Sequence, residues 1–435
     1  MSTLMFLYNT LLFFALPFAL PYYAFKSLST GKYRRNLAAR LGRVHVPALP
    51  PGKKRLWIHA VSVGEVTAAA AVVRALSEFA PEVQVIVSTT TETGQEMARR
   101  VLPEAEGFIY FPLDLPGVVD RVLNSVRPDL IALTETELWP NFLAACRRRS
   151  VPVVLVNGRL SDKSFRRYRA SRWFWGKCLA GLQAAGMISF ADANRVRALG
   201  MPKERVFVYG NAKYDALAAR VSPHLAEEAG KFLGLRPEEP IFVAGSTHEG
   251  EEEIVLSVYG RLLRAFPLLT LILIPRHPER GAEVVRLCRR YGLSDTITYR
   301  EIMGGRERNK ERVVIVDVIG ELFKLYGLAA VVFCGGSLVP RGGQNILEAA
   351  AWGKAPLFGP YMGDFRAERD LLVEGQGGIE VKGEDELYER LLFLLKEPTE
   401  RKEWGKRAQA LVAQNRGAAR RYAELIVSSL RERSA

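Results

Sequence analysis

The sequence predicts an α/β protein of two Rossmann-like domains, each a parallel sheet with helices on both faces. Three observations carry that expectation. From Lys53 onward, short β-branched runs alternate with longer stretches of helical period, the pattern left by successive βαβ units. A polar segment from Ala212 to Glu239, poor in strand formers, interrupts the alternation halfway. At 435 residues the chain also exceeds what one hydrophobic core usually serves.

Apolar runs place strands in the first half at Leu56–His59, Val83–Ser88, Phe108–Phe111, Leu130–Leu133, Val153–Val156 and Val206–Tyr209. In the second half they fall at Ile241–Ala244, Leu269–Ile274, Val313–Val316, Ala330–Phe333 and Ala355–Phe358. Helical periods separate them, as at Val66–Phe79, Glu249–Phe266 and Glu279–Tyr291. The C-terminal stretch reads as helical throughout. The polar segment is the expected joint, and a ligand is expected in the cleft between the two sets of strand ends. The expected boundaries are an anchor over 1–26, an N-terminal domain over 27–215, a linker over 216–238 and a C-terminal domain over 239–435.

Lys and Arg number 61 against 47 Asp and Glu, an excess of 14 positive charges. That excess implies an acidic partner: nucleic acid, an anionic membrane or a phosphorylated substrate. The charge is unevenly placed. No Asp or Glu precedes Glu65, whereas Lys26, Lys32, Arg34, Arg35, Arg40, Arg43, Lys53, Lys54 and Arg55 all do. Ahead of this block the chain is essentially apolar from Leu4 to Phe25, about 33 Å as a helix at ~1.5 Å per residue, enough to cross a bilayer. Pro17, Pro21 and Asn9 weaken that helix. The basic flank follows the apolar run, the wrong order for a cleavable signal peptide, and a soluble core helix would not be apolar all round. An N-terminal anchor, spanning or embedded, is expected, with the rest of the chain cytoplasmic by the positive-inside rule. Cys146, Cys178, Cys288 and Cys334 are scattered, as are the histidines, so neither a disulfide framework nor a metal site is expected.

The most informative stretch runs from Val331 to Glu348. A β-branched run stops at Gly335-Gly336, and Gly342-Gly343 then open a helix carrying Asn345 and Glu348. Strand, glycine loop and helix is how an α/β fold brings a phosphate to backbone N–H groups at a positive helix end, and Glu348 could take ribose hydroxyls. An ordinary βαβ unit with a solvated glutamate is the plainer alternative. Other strand ends repeat the theme. His59-Ala-Val-Ser-Val-Gly-Glu65 opens the first long helix. Ser62-x-x-Glu65 is a capping-box spacing, so Glu65 reads either as a cap or as a proton acceptor held ionised by the helix dipole. Thr134-Glu-Thr-Glu137 leaves another strand with two carboxylates, and Gly210-Asn-Ala-Lys213 closes the last strand of the first half. Arg276, between Pro275 and Pro278, is a rigid cation suited to phosphate. Between Lys163 and Gly181, Arg166, Arg167, Arg169, Arg172 and Lys177 interleave with Phe165, Tyr168, Trp173, Phe174 and Trp175. That mixture suits a helix on anionic lipid, or a helix packing its aromatics into the core.

The strings HAVSVGE, TTTETG, ETELWPN, NGRLSDKS, GNAKYD, AGSTHEGEEE, PRHPER, GELF and GGSLVPRGGQNILEAAAWGKAPLFGP, in this order between His59 and Asp364, resemble the 3-deoxy-D-manno-octulosonic acid (Kdo) transferases. The resemblance implies a GT-B fold, with an acceptor-binding N-terminal domain and a donor-binding C-terminal one. It implies an inverting transfer of Kdo from CMP-Kdo to the lipid A precursor at the inner membrane's cytoplasmic face, without a metal or cofactor. Glu65 would be the general base, and Glu135 and Lys213 would stabilise the transition state. Pro275-Arg276, Ile319-Gly320-Glu321, Gly336-Ser337 and Asn345-Ile346-Leu347-Glu348 would contact CMP. Arg166, Arg167, Arg169, Trp173 and Trp175 would meet the acceptor or the anionic membrane. The chain departs from the family pattern at Gln344, where His is usual, at Ala349 and at Val318-Ile319. Gln keeps a donor and an acceptor but loses a titratable group. A rival within the fold is a lipid-acceptor transferase using a UDP-sugar. A nucleic-acid-binding protein has only the charge in its favour, with no recognition motif.

Overall fold

The computed structural model describes residues 5–14, 17 and 36–432. They form two compact units. The first holds the described residues up to Ala216 and takes the chain back from Asn415; the second spans Leu217–Gln414.

In the first unit β1 (Lys54–His59), β2 (Val83–Thr89), β3 (Gly107–Tyr110), β4 (Leu130–Thr134), β5 (Val153–Gly158), β6 (Ala184–Met187) and β7 (Val206–Val208) form one parallel sheet. Their order is β3-β2-β1-β4-β5-β6-β7. The order reverses between β1 and β4, so the loops leaving these strands diverge and open a crevice at the carboxyl edge. The pleat divides the core into two layers. Leu56 and Ile58 face the layer that holds the helix Val63–Phe79. Trp57 faces the other, with Phe111 and Phe142.

The second unit repeats the plan with β8 (Ile241–Thr247), β9 (Thr270–Pro275), β10 (Thr296–Thr298), β11 (Val313–Ile315), β12 (Val331–Cys334), β13 (Pro356–Phe358) and β14 (Ile379–Glu380). These stand in the order β10-β11-β9-β8-β12-β13-β14. Here the order reverses between β8 and β12. Phe242, Leu271, Ile315 and Phe333 pack beneath Val255 and Tyr259 of the helix Glu251–Leu262.

Three strands escape the sequence pattern. β6 reads Ala-Ala-Gly-Met, without a β-branched residue, while β10 and β14 are only three and two residues long. The joint folds into the helices Lys213–Arg220 and Pro223–Phe232. The C-terminal helix Ala418–Glu432 belongs with the first unit, not with the C-terminal domain expected to span 239–435. The small side chains of Ala68 to Ala71 let it approach, and Tyr422, Ile426 and Leu430 are buried in the same layer. Asp215 accepts the N–H groups of Gly417 and Ala419 at 2.6 and 3.2 Å, fixing the start of that helix.

Of the expected anchor, residues 5–14 form a helix, whereas residues 1–4, 15, 16 and 18–26 lie outside the described residues. Among the described residues no helix is long and apolar enough to cross a membrane.

Candidate active site

At the carboxyl edge of the first unit, the turns after β1, β4 and β7 bring Glu65, Glu135, Glu137 and Lys213 together. Glu65 is the third residue of the helix Val63–Phe79 and is buried. Its carboxylate accepts the N–H of Val61 at 2.8 Å and the hydroxyl of Ser62 at 3.0 Å. The capping box is thus only partly made: Ser62 donates to the carboxylate and caps no N–H of the helix. Burial raises the Glu65 carboxyl above its ordinary value. Glu135 pushes the same way, against the Val61 and Ser62 hydrogen bonds and the charge of Lys213. A carboxylate so placed is a stronger proton acceptor than a solvated one.

Lys213, the first residue of its helix, ion-pairs with Glu135 at 3.0 Å. Its ammonium lies over Gly64, where an added Cβ would stand 3.7 Å from Nζ, so the cation sits one residue from the candidate base. Glu135 itself takes a left-handed backbone, φ 60°, which a non-glycine residue adopts at a cost. That bend turns the chain out of β4 while the Glu135 N–H still pairs with the carbonyl of Val156 at 3.0 Å. Asn157, in β5, has φ 52° and accepts the Ala212 N–H at 2.9 Å, holding the Lys213 turn in place.

Glu137 completes the cluster. Burial lifts its carboxyl to about 7, with the charges of Glu65 and Glu135 adding to the effect, and Trp139 Nε1 donates to it at 3.1 Å. The sequence placed Glu137 at this edge but gave it no role. His59 lies in the core instead: its ring stacks on Phe111 at 3.9 Å, and burial lowers it to about 3.

In the second unit the strand ends carry a cationic group. Arg276 is exposed, and its guanidinium has no ion-pair or hydrogen-bond partner among the described residues. Its charge reaches both Glu348 and His248. Burial lowers His248 below its ordinary value, and neighbouring His277, Arg341, Arg276 and Arg280 lower it further. Nε2 of His248 is buried without a partner. An imidazole kept neutral among guanidinium groups marks a place that favours an anion. Burial raises Glu348, opposed by Arg220, whose Nη1 lies 4.0 Å away, and by Arg276.

Several expectations for the second unit are corrected. The helix after the second glycine pair begins at Leu347, so Asn345 precedes it and accepts the Leu347 N–H at 3.2 Å. Ile346 and Leu347 are core side chains. Ser337 is fully buried, its hydroxyl donating to the Cys334 carbonyl at 2.5 Å and accepting the Gly359 N–H at 2.8 Å. The N–H groups expected to meet a phosphate are already occupied. Glu251, fully buried, accepts from Gly336 at 2.6 Å, Ser337 at 2.9 Å, Leu338 at 2.8 Å and His248 at 3.0 Å. Glu321 holds Tyr299 at 2.5 Å and pairs with Lys324, while Ile319 stands exposed beside it. Glu251, His248 and Arg341 lie in the strings AGSTHEGEEE and GGSLVPRGG but were given no role from sequence, and Arg220 lay outside every string. The strand, glycine and helix-start run from Ala244 to Gly250, followed by Glu251-Glu-Glu253, was the available signal.

The basic aromatic segment forms the helices Asp162–Ala170 and Arg172–Leu179. Arg166, Arg167 and Arg169 are exposed, as is Trp173. Trp175 is half-buried, 4.6 Å from Tyr168, and packs with Phe165 and Phe174 against the core. The segment therefore divides: Trp173 and the arginines face out, and the remaining aromatics serve the fold. Among the described residues no group of three His, Cys, Asp or Glu converges to hold a metal.

Comparison with known proteins bears on this arrangement. Residues 35–216 match the family described as 3-deoxy-D-manno-octulosonic-acid transferase (kdotransferase). A 3-deoxy-D-manno-octulosonic acid transferase of Haemophilus influenzae is 34% identical over 430 residues, covering 97% of each chain. One from Bordetella pertussis is 31% identical over 90% of this chain and 91% of its own. Among solved structures, a glycosyltransferase from Rickettsia africae matches with a TM-score of 0.58 over 87% of this chain and 99% of that one. At 14% identity that is a likeness of fold alone.

Proposed function

We propose that this chain, which belongs to the 3-deoxy-D-manno-octulosonic acid (Kdo) transferase family, moves Kdo from CMP-Kdo to the lipid A precursor at an anionic membrane surface. The chain is a glycosyltransferase; donor, acceptor and stereochemistry are the added reading. In that reading Glu65 removes the proton of an acceptor hydroxyl, and the oxygen forms a bond to the anomeric carbon of Kdo. The bond from that carbon to the phosphate oxygen breaks on the opposite side, so configuration inverts in one displacement. CMP departs with the bonding pair. Fixed cations near Arg276 and Arg341 meet the charge on its phosphate, which stabilises the transition state without reorganisation. In this reading the N–H groups of Gly336, Ser337 and Leu338, which Glu251 accepts, are not the donors to that phosphate. The Val61 N–H, the Ser62 hydroxyl and, more weakly, Lys213 favour the ionised form of Glu65, against its burial and the charge of Glu135.

One observation carries the reading: a buried carboxylate of raised proton affinity next to the Lys213–Glu135 pair, at the crevice where the strand order reverses. Turnover of lipid A precursor with CMP-Kdo against UDP-sugars tests it. Kdo-bearing product from CMP-Kdo alone is expected. A preference for a UDP-sugar overturns the reading.

A further inference from the structure

The helix over residues 5–14 is patterned the wrong way round for a helix docked in water. Met5, Tyr8, Asn9 and Leu12 are half-buried, the i, i+3, i+4, i+7 spacing of one face. On that face Tyr8 donates to Asp114 Oδ2 at 3.0 Å, and Asn9 Oδ1 accepts from Asn141 Nδ2 at 2.7 Å. Phe6, Leu7, Leu11, Phe13 and Phe14 stand on the outside, 50% to 74% exposed. Tyr8 and Asn9 point their polar groups into the protein beside Met5 and Leu12, while the five large exposed side chains are all apolar. Water drives the reverse arrangement. Hydrocarbon favours this one, because polar groups there must find partners inside the protein.

The neighbouring surface says what covers the outer face. The Tyr8 ring meets Phe174 of the helix Arg172–Leu179, centroids 6.0 Å apart. Arg172 and Lys177 of that helix are exposed, as are Arg166, Arg167 and Arg169 just before it. An apolar strip bordered by cations matches acyl chains under anionic headgroups.

The polar pairs also reach the site. Asp114 accepts the N–H groups of Asn141 and Phe142 at 3.0 and 2.8 Å, and its carbonyl accepts Asn141 Nδ2 at 2.6 Å. It thereby caps the helix Pro140–Arg148 from a distant part of the chain. That helix begins where the Glu135–Trp139 turn ends.

We propose that residues 5–14 lie along the first unit with their outer face in an anionic bilayer, and that Tyr8 and Asn9 are positioning residues. They latch this lipid-facing helix to Asp114 and Asn141 and so hold the Glu135–Glu137 turn at a fixed depth. The proposal rests on the membrane-acceptor reading above and adds how the catalytic unit is seated.

The test uses full-length protein on vesicles of phosphatidylglycerol and phosphatidylcholine, with amide exchange of residues 141–146 and steady-state transfer as readouts. The Tyr8→Phe, Asn9→Leu double variant is more apolar than the native helix. If the helix were a plain tether, the variant would bind vesicles and turn over normally. The latch requires unchanged vesicle binding, about tenfold faster exchange at 141–146 and about tenfold lower kcat, the size expected for lost hydrogen bonds to buried groups, with KM for CMP-Kdo unchanged. Normal exchange and normal kcat overturn it. Phe6→Asn with Phe13→Asn is expected to cut vesicle binding at least tenfold while exchange at 141–146 stays native; undiminished binding refutes the lipid-facing assignment. Exchange and vesicle binding need no turnover, so a wild-type protein inactive on CMP-Kdo would sink the transfer reading and leave the latch standing.

Discussion

Glu65 and Glu137 show how one edge sets two carboxylates apart. Both are buried and both are raised, but Glu65 has the Val61 and Ser62 donors and nearby Lys213 to hold its ionised form, while Glu137 has Trp139 alone. Glu65 is thus the better base near neutrality. The rate should rise with pH as Glu65 loses its proton, with a midpoint above the ordinary carboxylate value; a rate already maximal at pH 4.5 would contradict this. Glu137 makes a separate prediction about stability. Its folded value, about 7, lies above the ordinary 4.5, so the native state binds the proton more tightly than the unfolded chain. Its contribution is full below pH 4.5 and is lost as pH rises through 7. Glu137→Gln should therefore match the wild type in Tm at pH 4 and exceed it at pH 8; equal Tm values at pH 8 would refute the shift. Neither distinction was legible in the strings HAVSVGE and ETELWPN, because it depends on burial and on charges that distant segments bring together.

At the scale of elements, the strands with β-branched runs were readable, since burial on both faces demands such runs. β6 was not. Gly186 is small because Tyr422 packs over it, an added Cβ there falling 2.5 Å from that ring, and Tyr422 arrives from the far end of the chain. The glycine loop after β12 was recognised, but the partner of its N–H groups was not, because Glu251 and Gly336 meet across 85 positions of sequence. Glu251→Gln should show what the loop needs: an amide cannot accept all four N–H groups, and its own NH₂ would face donors. A loss of about 3 kcal/mol is expected from unsatisfied buried donors, read as a fall in urea midpoint and weaker CMP binding. Unchanged CMP affinity would separate the loop from the nucleotide site.

For the whole molecule, the two-sheet α/β plan was legible, whereas the allegiance of the last helix was not. Tyr422 fills the first unit's core and donates to the Gly210 carbonyl at 2.7 Å, close in sequence to Lys213. Tyr422→Ala should cost about 3–5 kcal/mol and be felt in the first unit. Full native stability would contradict the assignment. The central claim is that Glu65 performs the proton transfer in moving Kdo. The most direct measurement is the mass of the lipid formed from CMP-Kdo and lipid A precursor by wild-type and Glu65→Gln protein, with CMP affinity measured alongside. The account requires a Kdo-bearing lipid from the wild type, at least about a hundredfold slower formation by the variant, and equal CMP affinity. Product formed at comparable rates by both proteins would contradict it.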